Sequence, residues 1–293
     1  MAVPSFGAAT TMPSEANDEP AAAGGGKNVV HNKQGIDMLH GRIWTKVLRF
    51  ALPVAATGIL EQLFNASGIM IVGNFSQSDG TAAVAAVGSN APVTGLILNL
   101  FIGIALGANV VIANAIGRGS REAVRNAVHT SIVTALIGGV IGELLAGPLL
   151  GMLNVTADVF PLALAYLRIY LIGMPVILLY NFETAIFRSI GDTQAPLAVL
   201  AISGVLNVTM GLIFVVLFHW GVSGVATATV IANVVSSMIL LYRLVHTDAA
   251  IHVDLREFGI DWFTLRQILR IGLPAGVQSA VFAVANIIIQ AAI

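Results

Sequence analysis

From Leu48 to the final residue, long apolar runs alternate with short polar connections. Seven such segments can be drawn, at about 48–74, 88–115, 128–150, 159–187, 195–218, 221–243 and 264–293. Each offers the roughly 20 residues that a helix needs to cross the hydrocarbon core of a bilayer. Inside lipid, every backbone N–H and C=O must be satisfied within the segment, so runs of this length read as helices. The pattern predicts an all-α polytopic membrane protein: a six-helix transmembrane lobe plus a seventh helix that starts a second, incomplete lobe. Pro53, Pro92, Pro161, Pro196 and Pro274 fall in the first turns of five predicted helices, where a missing N–H costs little. Pro175 sits mid-segment and predicts a kink in the fourth. Gly103-x-x-x-Gly107 and Gly138-x-x-x-Gly142 predict close helix packing.

The remaining stretches divide the chain. Residues 1–41 hold Pro4, Pro13, Pro20 and the run Ala21–Gly26 without apolar periodicity, and read as a disordered cytoplasmic tail. No apolar leader follows the start, so the first span is expected to direct insertion itself. Residues 42–245 hold the six-helix lobe, 246–263 a cytoplasmic linker, and 264–293 the opening helix of a truncated second lobe. Leu48-Arg49-Phe50-Ala51-Leu52-Pro53 recurs as Leu269-Arg270-Ile271-Gly272-Leu273-Pro274, and Asn65 matches Asn286 at the same offset. An even number of helices separates the copies, so the repeat is parallel, as in two-lobed carriers.

Composition removes other classes. Apolar residues make up 57% of the chain and charged residues 10%, against about a quarter charged in soluble domains. The net charge of −1 gives no reason to expect nucleic acid. Without cysteine there are no thiolate metal sites or cysteine nucleophiles. The six histidines lack metal-ligand spacing, and no metal or cofactor is expected. Gly24-Gly25-Gly26-Lys27 lacks the spacing of a phosphate loop, so active transport would draw on an ion gradient. Arginine and lysine settle orientation. Thirteen of the 14 flank alternate connections and one stands inside a segment, Arg168. The basic side, with the N-terminus, is expected to be cytoplasmic in a multi-pass protein of the cell membrane.

Ionisable groups inside spans are costly and mark candidate sites. Here they are Glu61, Glu143, Glu183 and Arg168. Thr57, Glu61, Asn65 and Gly68 form one stripe on the first helix. Ser203, Asn207 and Gly211 form another on the fifth, and Thr229, Asn233 and Ser237 a third on the sixth. Tyr180, Asn181, Glu183 and Thr184 cluster beyond the predicted kink. Single polar residues often only join helices, at about 0.6 kcal/mol each. Three stripes in one lobe point instead to a shared wet cavity.

These residues resemble the multidrug and toxic compound extrusion (MATE) family. The stretches that carry the resemblance are Phe64-Asn65-Ala66-Ser67-Gly68 through Val72-Gly73-Asn74-Phe75, Phe101-Ile102-Gly103 to Gly107-Ala108-Asn109, Phe187-Arg188-Ser189-Ile190-Gly191-Asp192-Thr193, Gly221 to Thr229, and Leu273 to Ser279. The resemblance implies two six-helix lobes forming a V, alternating access, and export of small molecules, cationic drugs among them, in exchange for H⁺ or Na⁺. Asn207, Thr229 and Tyr166 match polar cavity positions of such proteins. Two positions depart from the pattern: Gly68 and Gly211 stand where many prokaryotic members have aspartates. In the seventh helix, Gln278 and Phe282 occupy the stretch where another branch places its coupling acids. Three readings follow: an efflux carrier, an inactive or scaffold fragment of one, and a lipid-linked precursor flippase of the wider superfamily. The flippase reading asks for a cationic cavity that the spans do not offer. In the carrier reading Glu61 replaces the lost aspartate.

Overall fold

The computed structural model describes residues 43–76, 80–151, 159–254 and 259–292. The predicted tail, residues 1–41, lies outside them. The described chain is an all-α bundle: α1 (Ile43–Phe75), α2 (Gly80–Gly117), α3 (Arg121–Gly151), α4 (Phe160–Ile172), α5 (Met174–Ser189), α6 (Gln194–Leu212), α7 (Gly221–Val245) and α8 (Trp262–Ala292). A π-helical turn, Ile213–Leu217, prolongs α6. Among the described residues, five helices are long and apolar enough to cross a membrane, and the bent pair α4–α5 makes a sixth span. The protein is a polytopic all-α membrane protein.

The helices begin earlier than apolarity alone implied. α1 begins at Ile43, five residues before its apolar run, and α8 at Trp262, two before; Pro53 and Pro274 lie inside these helices rather than in first turns. Pro92 likewise lies well inside α2. Polar residues at a membrane surface still complete the helix, because its backbone bonds close within the segment. Pro161 and Pro175 do occupy first turns, of α4 and α5. The fourth span breaks at Gly173 and bends by 52° there. Pro175 cannot supply an N–H to the preceding turn. Gly173 lets the bend press on α7, since a Cβ there would overlap Val230.

Glycines bring other pairs into contact. A Cβ at Gly103 would overlap the backbone of Gly276, and one at Gly107 the carbonyl of Ile268. α8 therefore runs antiparallel along α2 with backbones touching, through Gly272-x-x-x-Gly276 as well as the predicted Gly103 pair. Gly138 and Gly142 seat Phe101 of α2, while Gly139 meets the backbone of Pro175. Asn90 Nδ2 ties α2 to α4 by donating to Ala163 O at 3.0 Å.

The connections are built from caps. Gly191 has φ +80°, and Asp192 N–H returns to Phe187 O at 3.1 Å, closing α5. Asp192 Oδ1 then accepts from Ala195 N–H at 3.0 Å, opening α6. The segment after α7 packs on α3. Ile251 and Val253 are fully buried, and Asp254 N–H donates to His129 Nε2 at 3.2 Å. Asp261 caps α8, accepting from Phe263 N–H and Thr264 N–H at 3.3 Å each and from the Thr264 hydroxyl.

Candidate functional site in the lobe wall

The sequence stripes separate in space into two groups. The first gathers around a small apolar cluster that includes Ile71, Val72, Val215, Val222 and Val225. Gly68 of α1 meets α7 there: a Cβ would stand 3.1 Å from Val225 Cγ1. Gly211 of α6 is buried, and its Cβ would stand 3.5 Å from Ile71 Cδ1 and 4.0 Å from Ala228 Cβ. Tyr166 of α4 packs against the same cluster and stacks on Tyr170, with ring centroids 5.9 Å apart. Thr229 is half-buried beside Ala228, its hydroxyl donating to Val225 O at 3.0 Å. Asn207 stands half-buried one turn before Gly211. Gly68, Gly211, Thr229 and Tyr166 are thus brought together. The polar hydrogen of Thr229 serves its own helix, Gly68 is close-packed on Val225, and Gly211 leaves room for an ordinary Cβ contact.

The second group lies on α1, α5 and α7. Thr57 is buried and donates to Pro53 O at 2.8 Å, whereas Glu61 and Asn65, on the same side of α1, are exposed. Leu60 and Phe64, on the side of α1 adjoining Glu61, pack on the main core, and Phe64 enters the space left by Gly204; the opposite face carries the exposed Leu52, Ile59, Leu63 and Met70. The Arg188 guanidinium, at the end of α5, acts electrostatically on Glu61 and on Tyr180. Asn181 Nδ2 donates to Ile177 O at 2.8 Å. Tyr180, Glu183 and Thr184 share the inward face of α5 and are buried; Glu183 has no exposed surface. Neither Glu183 carboxylate oxygen closes a hydrogen bond, and neither does the Tyr180 or the Thr184 hydroxyl. Ser237 of α7 is the polar neighbour of Glu183. Asn233, one turn before it, donates to Thr229 O at 2.9 Å.

Glu143 and Arg168, the other ionisable groups within spans, are exposed at the lobe surface. Arg188 is the residue that sequence reasoning left out of the site. Its spacing from Tyr180 and Thr184, four and four, places the three on one face of α5, which is the signal that could have found it. A cavity of about 270 Å³ at the ends of α2, α3 and α8 is lined by Arg118, Asn126 and Gln267 but by none of the residues above.

Comparison with known proteins agrees with this architecture. The chain is 29% identical over 250 residues to the probable multidrug resistance protein NorM of Thermotoga maritima, covering 81% of this chain and 52% of that protein. It superposes on a multidrug resistance MATE family transporter in its outward-facing conformation with a TM-score of 0.78 at 27% identity, covering 87% of this chain and 56% of that one. The inward-facing conformation of such a transporter gives 0.70, covering 80% and 55%. The chain thus spans about half the length of the relatives it matches. The MatE family pattern covers residues 53–213, more than half of the chain, and on that match the protein belongs to the MATE family.

Proposed function

We propose that this lobe is the N-terminal half of a secondary efflux carrier, with α8 opening the second half. Small organic molecules, cationic drugs among them, would be its substrates, and an ion gradient its energy source. The observation that carries the reading is the open polar face of α1. Glu61 and Asn65 stand exposed on a spanning helix, and lipid does not tolerate such groups, so they face water or another protein surface. A carrier that rocks one lobe against another around a central site offers both. The alternation of basic connections supports a cytoplasmic N-terminus and a cytoplasmic 246–263 segment.

H⁺ is the coupling ion in this reading, and Glu61 carries it. When Glu61 is ionised, Arg188 balances it; when it takes a proton, Arg188 is released toward Tyr180. Asn65, one turn along, offers both a donor and an acceptor and so suits either state. The positions usually held by aspartates take no part, because Gly68 and Gly211 hold no acid. The test is export driven by an imposed pH gradient in proteoliposomes, wild type against Glu61→Gln at matched protein level. A loss of about tenfold or more is expected. Undiminished export from the Gln variant would remove Glu61 from coupling. The second reading, a non-transporting scaffold, is favoured by the lack of an acid at Gly68 and Gly211. Absence of wild-type export under both H⁺ and Na⁺ gradients would leave it standing.

A further inference from the structure

Glu183 is a different kind of acid from Glu61. It lies inside the wall of the lobe, with no exposed surface and no hydrogen bond to either oxygen. A bare carboxylate in that position would carry a large desolvation cost, with the Ser237 hydroxyl alone near enough to offset part of it. The groups that face it are few. α7 contributes Ser237, and its own helix contributes Tyr180 and Thr184. Among the described residues, no charged side chain of α2, α3, α4, α6 or α7 acts on it. Asn109 of α2 donates to Ala185 O of α5 at 2.9 Å. Among the described residues no cation acts on Glu183, and the Tyr180 and Thr184 hydroxyls on its own helix close no hydrogen bond.

Tyr180, one turn before Glu183 on α5, is buried beside it. We propose that Glu183 is a proton-binding site sealed in the lobe wall, held as the neutral acid, with Ser237 of α7 as its polar neighbour. The site deepens the efflux reading and rests on it for its purpose, but its protonation can be read without any transport.

The experiment is infrared spectroscopy of the purified 293-residue chain in lipid nanodiscs at neutral pH, following the C=O stretch of protonated carboxyl groups. Wild type should show this band, Glu183→Gln should lose it, and Glu61→Gln should keep it. Sodium chloride should leave it unmoved. If Glu183→Gln does not fold, Glu183→Asp serves instead and should shift the band without abolishing it. A wild-type spectrum lacking the band, or an unchanged band in Glu183→Gln, would overturn the proposal. So would a band that sodium removes, which would make Glu183 a metal-cation ligand. Failure of export with the band intact would instead count against the efflux reading alone.

Discussion

Two regions of the same lobe treat polarity in opposite ways. Around Gly68 and Gly211, helices α1, α6 and α7 close on one another: a Cβ at Gly68 would press on Val225, and one at Gly211 would meet Ile71 and Ala228 at ordinary contact distance. Around Glu61 and Glu183, on α1 and α5, two acids are present, one on the open face and one sealed within. The two regions are joined by continuous helix: seven residues of α1 separate Glu61 from Gly68, roughly 10 Å along the axis. The difference teaches that ionisable chemistry in this lobe has one address. It lies on α1 and α5, and the neighbouring region has become a packing joint.

The largest effect should come from inverting charge in the second region. Glu183→Lys would bury an ammonium among hydroxyls and apolar side chains, with a loss of about 3 kcal/mol or more. Glu61→Lys sets a second cation near Arg188 but stays open to water, and should cost less, about 1 kcal/mol. Thermal unfolding followed by fluorescence-detected gel filtration measures both. Equal losses would erase the distinction between the open and the sealed acid.

Substituting glycines by alanine should sharpen the other half of the comparison. Gly103→Ala forces a Cβ into the backbone of Gly276, which no rotamer relieves, and should cost about 1–3 kcal/mol. Gly68→Ala asks only that Val225 shift slightly, since its Cβ contact would be 3.1 Å, and should cost less. Gly211→Ala makes ordinary contacts at 3.5 and 4.0 Å and should fall within about 0.5 kcal/mol of wild type. The same unfolding assay ranks them. A large loss at Gly211 would mean that the joint is tighter than its geometry.

Asp261, outside the membrane, sets the scale for an acid whose oxygens are satisfied. The Thr264 hydroxyl, and after it the N–H groups of Phe263 and Thr264, hold its pKa below the ordinary carboxylate range against a small opposing effect of burial. A lowered folded-state pKa means that its contribution is present above the ordinary carboxylate value and is lost as pH falls through the lowered one. Asp261→Ala should cost about 1 kcal/mol at neutral pH, as for other helix caps. The cost should shrink in strong acid, which a pH series of unfolding temperatures would register.

The sequence carried the helices better than the site. Apolar length marked every span, and Gly103, Gly107 and Pro175 announced the contacts and bend they make, because those features are local. Helix starts were missed where polar residues continue a helix beyond lipid, as before Pro53 and Pro274. The stripes were legible as faces, but a face does not say what covers it. Thr57 and Glu61 lie one turn apart on α1, and the first is buried while the second is open. Only the packing of Leu60, Phe64 and Gly204 decides that. Glu183 was visible as an acid in a span, yet its isolation depends on α7 and α2, far away in sequence.

The contrast between the open and the sealed acid can be measured directly in a chain without native cysteine. Glu61→Cys, Asn65→Cys and Glu183→Cys, each reconstituted into vesicles, would be exposed to a small charged thiol reagent from the aqueous phase. Positions 61 and 65 should label about 100-fold faster than position 183, because thiol reactivity follows access to water. Labelling of all three at similar rates would contradict the account, for then Glu183 would stand in the same water as Glu61.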